Sequence, residues 1–236
     1  GPTGSGKTTT LYAALQELNN NELNISTVED PVEYFIDGIN QTQINNKVKM
    51  SFARGLRAIL RQDPDVVMLG EVRDSETAQI AVQASLTGHL VFSTLHTNTA
   101  VGAISRLKDM GIEPFLLSSS LSAVLAQRLI RTLCPDCKEP HSTDTKESEK
   151  LGVNKSIVIY QSSGCDQCNQ TGYIGRSALY ELLSIDEGIK ELIYNEASEA
   201  QILESSKSHS TLSEQAIKMV MNGNTSLYEA IRVVAL

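Results

Sequence analysis

The stretch GPTGSGKTTT at residues 1–10 constrains this chain more than any other feature. It fits the spacing G-x-x-x-x-G-K-[ST] at Gly1, Gly6, Lys7 and Thr8. Glycines let a backbone curl until successive N–H groups face phosphate oxygens, and the helix behind adds the positive end of its dipole. Gly1, Pro2, Thr3, Gly4, Ser5 and Gly6 form the cradle; Lys7 can reach the β- and γ-phosphates of ATP, and Thr8 can hold Mg2+. The competing reading is a chance glycine-rich turn. Against it, Leu11, Ala14, Leu15 and Leu18 put one apolar face on a helix directly after the loop. Such loops hang from the end of a strand in an open α/β sheet. No residues precede Gly1 here to form that strand, so the chain reads as N-terminally truncated.

The next segments set the fold class. NISTVED (24–30) reads as a short strand with a charged end, followed by a polar, irregular stretch over 31–50. The spacing predicts a helix over 51–62, with Phe52, Leu56, Ile59 and Leu60 on one side and Arg54, Arg57 and Arg61 on the other. The arginines suit a solvated or interface face better than catalysis. VVMLG (66–70) is the continuous apolar run of a strand covered on both faces, and LVFSTL (90–95) is read the same way. Helices are expected over 75–87, about 99–110 and 116–131. This βαβα alternation is the pattern of a mostly parallel, helix-covered sheet.

Composition changes at Cys134. Residues 134–175 are expected to form a small lobe poor in core residues, and 176–236 a mainly helical subdomain, leaving 1–133 as the α/β core. Capping boxes at Ser198…Gln201, Thr211…Glu214 and Ser226…Glu229 announce helix starts, and Gly223 is placed to end the middle helix.

A phosphate loop needs carboxylates. The strand VVMLG delivers Glu71 just beyond its end, where it can ligate magnesium or its water; the bland alternative is a strand-end acid paired with Arg73. STVEDPVEY (26–34) adds Glu29, Asp30 and Glu33, three acids in a short turn that is costly to build unless a cation or polarised water compensates. Glu33 or Glu29 can position the attacking water, and a solvated acidic turn is the alternative. His89 and His96 bracket LVFSTL at element boundaries, where a side chain can sense the γ-phosphate; metal binding by the pair is disfavoured because the strand would hold them apart.

The cysteines form two pairs, Cys134-Pro-Asp-Cys137 and Cys165-Asp-Gln-Cys168. Each pair has a chelating span, and four thiolates make a closed tetrahedral site, hence structural zinc (Zn2+); redox or incidental pairs are the competing reading. In a polar lobe, zinc would substitute for a missing core. No apolar run approaches the ~18 residues of a membrane span. The net charge of −8 argues against nucleic acid as the main partner.

In order along the chain, GPTGSGKTTT, STVEDPVEY, VVMLGE, TGHLVFSTLHTNTA, CPDC…CDQC and TGYIGR resemble the secretion ATPase superfamily that powers type II secretion and type IV pili. The cysteine lobe and the stretches 37–74, 106–120 and 126–137 are most similar to its type II secretion branch, with pilus-assembly and mannose-sensitive-pilus ATPases as neighbours. The resemblance implies a RecA-like phosphate-loop core that works as a homo-hexamer on the cytoplasmic face of the inner membrane. Its ATP hydrolysis would drive pseudopilus assembly and protein export. It would dock to a bitopic inner-membrane protein and a polytopic platform protein. Lys7 and the loop would hold phosphates, Thr8 and Glu71 magnesium, and Glu33 (with Glu29 and Asp30 as alternates) the water; His89 and His96 would couple phosphate state to motion. The alternatives are a nucleic-acid motor on the same core and a zinc-stapled interaction module that does not hydrolyse ATP.

Overall fold

The computed structural model describes residues 1–20, 22–206 and 210–234. Within the 176–236 segment, 207–209 and 235–236 lie outside the described residues. The chain divides into two compact units: Gly1–Thr3, Lys7–Val124 and Leu183–Lys207 form the first, and Gly4–Gly6, Leu125–Leu182 and Ser208–Leu236 the second. These boundaries interleave, whereas the composition shifts suggest breaks at 133/134 and 175/176.

The first unit is built on a parallel sheet. Its strands β1 (Ile25–Glu29), β2 (Asn40–Gln43), β3 (Val66–Leu69) and β4 (Leu90–Ser93) are ordered β2-β1-β3-β4. Register runs from Ile25 opposite Val66 to Val28 opposite Leu69, and from Val66 opposite Leu90 to Leu69 opposite Ser93. All strand ends that carry Glu29, Glu71 and His96 therefore share one edge of the sheet. Strands β1 and β3 are buried along their whole length, as their apolar runs require.

The expected burial of LVFSTL does not hold. Strand β4 is an edge strand with Leu90 exposed, because among the described residues its outer flank pairs with no further strand. The expected irregular stretch after the acidic turn contains β2, a polar strand paired in register with β1 from Ser26–Asn40 to Glu29–Gln43. Alternation of Asn, Gln and Thr carries no apolar signal, so periodicity misses it.

Helix α1 (Lys7–Leu18) follows the phosphate loop and buries Tyr12 and Leu15 against Ile25, Val66 and Met68, with Leu11 and Leu18 packed at the margin. Each fully buried large side chain contributes about 1.5–3 kcal/mol of transfer free energy. Helix α2 (Phe52–Ile59) buries Phe52, Leu56 and Ile59 and turns its arginines outward, where Arg57 meets Glu76 at 2.8 Å. Helix α3 (Ser75–Leu86) starts on Asp74, whose carboxylate accepts from Thr77 N at 2.8 Å, and α4 (Ala100–Asp109) starts on Thr99. Helices α5 (Pro114–Ser120), α7 (Glu187–Tyr194) and α8 (Glu199–Ser205) complete the unit, the last behind the expected Ser198–Gln201 box.

The helix expected over 116–131 is a correction. Helix α5 ends at Ser120, where Ser118 and Ser119 hydroxyls return to Phe115 O at 3.0 and 2.8 Å and compete with helix propagation. The chain then extends into β5 (Ala123–Leu133), which pairs with β8 (Tyr173–Ser184). Buried Ala126, Ile130 and Leu133 have the i, i+4, i+7 spacing of a helix face, which is what the sequence pattern registers. Pairing with a strand distant in sequence overrides it.

In the second unit, strands β6 (Glu139–Ser142) and β7 (Val158–Gln161) form an antiparallel pair with α6 (Thr145–Lys150) between them. Helix α9 (Leu212–Met221) starts on the expected Thr211–Glu214 box and ends just before Gly223. Before α10 (Leu227–Val234) the third box is only half made: Ser226 accepts from Glu229 N at 3.1 Å, but the Glu229 side chain is used elsewhere. Its fully buried carboxylate accepts from Arg131 Nη2 at 2.7 Å and from Arg232 Nε and Nη2 at 2.8 and 2.6 Å. Arg131 also lies 4.0 Å above the Tyr173 ring.

Burial works to raise the Glu229 carboxyl, but Arg232 and Arg131 outweigh it and bring it down to about 2 from 4.5. A depressed carboxylate contributes stability that is present above its unfolded pKa and is lost as pH falls through the folded one. Acid unfolding of the wild type is thus expected to draw on this pair between about pH 4.5 and about pH 2. Glu229→Ala is expected to cost about 2–4 kcal/mol at neutral pH, since it strands two half-exposed arginines, and to flatten the pH dependence in that window. Denaturant melts at pH 7 and pH 3 check both; equal stability of variant and wild type at pH 7 would contradict the role.

Candidate nucleotide site and cysteine cluster

The start of the loop, the sheet edge and the acids belong to the first unit. Gly1 N donates to Leu95 O at 3.2 Å, and Val72 N to Thr94 O at 3.0 Å, so the start of the phosphate loop and the residue that follows Glu71 both bond to the segment that leaves β4. Thr94 Oγ1 donates to Gly70 O at 2.6 Å and closes this layer. Lys7 Nζ donates to the carbonyls of Gly1 and Pro2 at 2.7 and 2.9 Å, which holds the ammonium over its own loop. Gly6 has φ +88°, a left-handed conformation that side chains resist, and a Cβ there would lie 2.8 Å from Gln127 Nε2. Thr8 is exposed on the first turn of α1.

Glu71 is nearly buried, paired with Arg73 and 3.2 Å from His96 Nε2; Arg73 also approaches Asp30 at 4.0 Å. Burial works to raise the Glu71 carboxyl, yet Arg73 and then His96 hold it below the ordinary carboxylate value. An ionised oxygen at a strand end is hard donor chemistry of the kind magnesium takes. The Arg73 partner weighed for Glu71 is therefore real, and it comes with a histidine that spacing alone did not connect to the acid.

The acidic turn divides into unlike parts. Glu29 is buried, accepts from Tyr12 Oη, from Thr27 Oγ1 at 2.5 Å and from Gln41 Nε2 at 3.2 Å. Asp30 and Glu33 are exposed, and the Asp30–Pro31 bond is cis. His89 is not brought to this edge. It precedes the first residue of β4, opposite Val66, and its Nδ1 lies 2.9 Å from Ala84 O at the end of α3. The intervening strand sends His96 to one end of the sheet and His89 to the other, so His89 acts as a helix-end partner. Tyr12 and Gln41 are the residues that motif reading missed. A tyrosine on the buried side of an otherwise aliphatic helix face is the one signal that pointed there.

In the second unit the sulfurs of Cys134, Cys137, Cys165 and Cys168 lie within 4.8 Å of one another. Cys134–Cys165 and Cys137–Cys168 are each 3.8 Å apart and Cys165–Cys168 3.7 Å, with no disulfide. A tetrahedron with metal–sulfur bonds of about 2.3 Å has sulfur–sulfur edges of about 3.8 Å, so the donor set fits zinc. Burial raises the Cys168 thiol, but N–H donors from Cys165 and Gly172, each 3.2 Å from its sulfur, help bring it to about 6. Gly172 has φ +75° and no room for a Cβ, which would lie 2.5 Å from Ser162 Cβ.

A glycine-rich loop that starts at the carboxyl edge of a parallel sheet, where an ionised strand-end acid also lies, is the arrangement of α/β proteins that carry a phosphate-loop motif. The family model described as Type II/IV secretion system protein matches residues 1–232, and the chain belongs to that family. It is 63% identical to the Type II secretion system ATPase E of Vibrio cholerae serotype O1, over 99% of this chain and 47% of the relative. It is 58% identical to the Type II secretion system protein E of Pseudomonas aeruginosa over the same shares. The chain thus spans about half the length of these relatives. Among solved structures, the pilus retraction motor PilT with bound ADP superposes with a TM-score of 0.73 and 32% identity, over 98% of this chain and 59% of that one. The ATPase DotB of Legionella pneumophila shares the fold, at a TM-score of 0.69 and 23% identity. Among the described residues, no helix is long and apolar enough to cross a membrane.

Proposed function

We propose that this chain is the catalytic portion of an ATP-hydrolysing motor that drives pseudopilus assembly and protein export in type II secretion. The observation that carries the reading is the 63% identity to a type II secretion system ATPase over 99% of this chain. On this reading residues 1–8 hold the phosphates and Thr8 and Glu71 hold magnesium, which neutralises charge on the transferring phosphoryl group when bound. Glu33 orients the attacking water, and His96 reports the state of the site through Glu71. The four cysteines hold structural zinc. Division into a RecA-like core at 1–133, a zinc lobe at 134–175 and a helical subdomain at 176–236 belongs to the same proposal. So do hexamer formation, docking to a bitopic and a polytopic inner-membrane protein, and a peripheral cytoplasmic location.

Two experiments test it. Hydrolysis by the full-length protein should rise with acidic phospholipid plus the membrane partner; stimulation by DNA instead would favour a nucleic-acid motor, which the net charge of −8 opposes. Glu71→Gln is expected to lower turnover by about a hundredfold or more while nucleotide affinity changes by less than about threefold. Turnover equal to the wild type would remove Glu71 from the site. Nucleotide binding without turnover in this chain, with turnover restored in the full-length protein, would favour the non-hydrolysing module.

A further inference from the structure

We infer that Tyr12 is a positioning residue that ties the phosphate-loop helix to the acidic turn and leaves Glu33, not Glu29, as the carboxylate that orients water. The inference deepens the ATPase reading and rests on it. Tyr12 lies one helical turn past Thr8, and its hydroxyl reaches the turn at two points. It donates to Glu29 and accepts from Glu33 N at 3.2 Å. Its ring meets the Tyr34 ring edge-on, with centroids 4.7 Å apart. Gln41 of β2 completes the clamp: its Nε2 donates to Tyr34 O at 3.2 Å and its Oε1 accepts from Ile36 N at 2.7 Å.

These contacts give the two glutamates different work. Glu29 is buried, and each of its oxygens already accepts from the fold, Oε2 from Tyr12 and Oε1 from Thr27 and Gln41, so the side chain is held in place by these partners rather than free to turn toward a water at the site. Its negative charge anchors the tyrosine proton, and the Tyr12 hydroxyl is correspondingly hard to ionise, raised to about 12 by burial and then by Glu29. The hydroxyl therefore stays a donor to Glu29 and keeps a lone pair for the Glu33 amide. Glu33 is fixed by its backbone while its side chain is exposed, and among the described residues no hydrogen bond or salt bridge engages its carboxylate. A carboxylate that must meet a water beside bound phosphate needs this combination of fixed backbone and unengaged oxygens.

The test uses the full-length protein carrying Tyr12→Phe, Glu29→Gln or Glu33→Gln. Tyr12→Phe removes one oxygen and keeps the ring. Hydrogen exchange at the Glu33 amide is expected to quicken about tenfold or more in Tyr12→Phe, a local opening that leaves the core protected. In the same variant kcat is expected to fall about ten- to a hundredfold, with KM for ATP within about twofold. Glu33→Gln should lose more turnover than Glu29→Gln, because glutamine at 29 can still accept from the tyrosine. Unchanged exchange at Glu33 in Tyr12→Phe would overturn the contact. A larger loss in Glu29→Gln than in Glu33→Gln would overturn the division of roles, and this comparison stands even if Tyr12→Phe does not fold. A wild-type protein that turns over no ATP would sink the ATPase reading, while the Glu33 exchange rate still decides what Tyr12 does.

Discussion

Lys7→Ala in the full-length protein is expected to lower ATP turnover by about a hundred- to a thousandfold, or about 3–4 kcal/mol of transition-state stabilisation. The lysine is the cationic side chain of the loop, and its ammonium sits on the carbonyls of Gly1 and Pro2 at 2.7 and 2.9 Å. A phosphate oxygen, which carries charge of its own, competes with these neutral carbonyls for the ammonium and adds a full ion-pair attraction. The fold should not notice the change. Lys7 contributes no apolar surface to the cluster around Tyr12, Leu15 and Ile25, so the denaturation midpoint is expected to stay within about 1 kcal/mol of the wild type. Turnover with and without saturating ATP, beside a denaturant melt, separates the two effects. Near-normal turnover in a folded variant would end the phosphate-loop assignment.

The second large effect concerns the cysteines. Elemental analysis of purified protein is expected to find about one zinc per chain, the stoichiometry of a single four-thiolate site. Structural zinc contributes about 10–16 kcal/mol to the folding of small finger peptides, and a lobe anchored at both ends should keep a large share of that. Cys137→Ser or a strong chelator is therefore expected to unfold residues 134–172 locally, seen as lost amide protection there. Acid should do the same, because protons compete with the metal for thiolates. Protein that is metal-free by elemental analysis yet protected through this segment would contradict the zinc assignment. Redox pairs would place short distances only within each CxxC, whereas here Cys134 meets Cys165 and Cys137 meets Cys168 across the pairs.

Much of this was legible in the residues, and the exceptions share a cause. The loop, the helix behind it, β1 and β3 were readable because each carries its signal locally, in glycine spacing or in an unbroken apolar run. Strand β5 was not, since Ala126, Ile130 and Leu133 match a helix face and only the distant β8 makes them a strand. His89 and His96 look equivalent in sequence; the parallel register assigns them to opposite ends of one strand. Glu229 reads as the third member of a capping box, but two arginines remote from or adjacent to it claim the carboxylate instead. Glu29 and Glu33 are indistinguishable until Tyr12 is seen to occupy one and anchor the other.

The cysteine lobe begins and ends at a single hydrogen bond, Cys134 N to Gly172 O at 3.0 Å. A segment whose two ends already touch can be lengthened, shortened or replaced with little change in closure entropy, and the strands that carry it need not shift register. The lobe is therefore a cassette, exchangeable at two neighbouring points of the backbone. Its cost of removal lies at Gly223, whose carbonyl takes Lys138 Nζ at 2.9 Å and where a Cβ would lie 2.6 Å from Tyr160 Cδ2. A chain that dispenses with the cassette has to give the turn between α9 and α10 another cover.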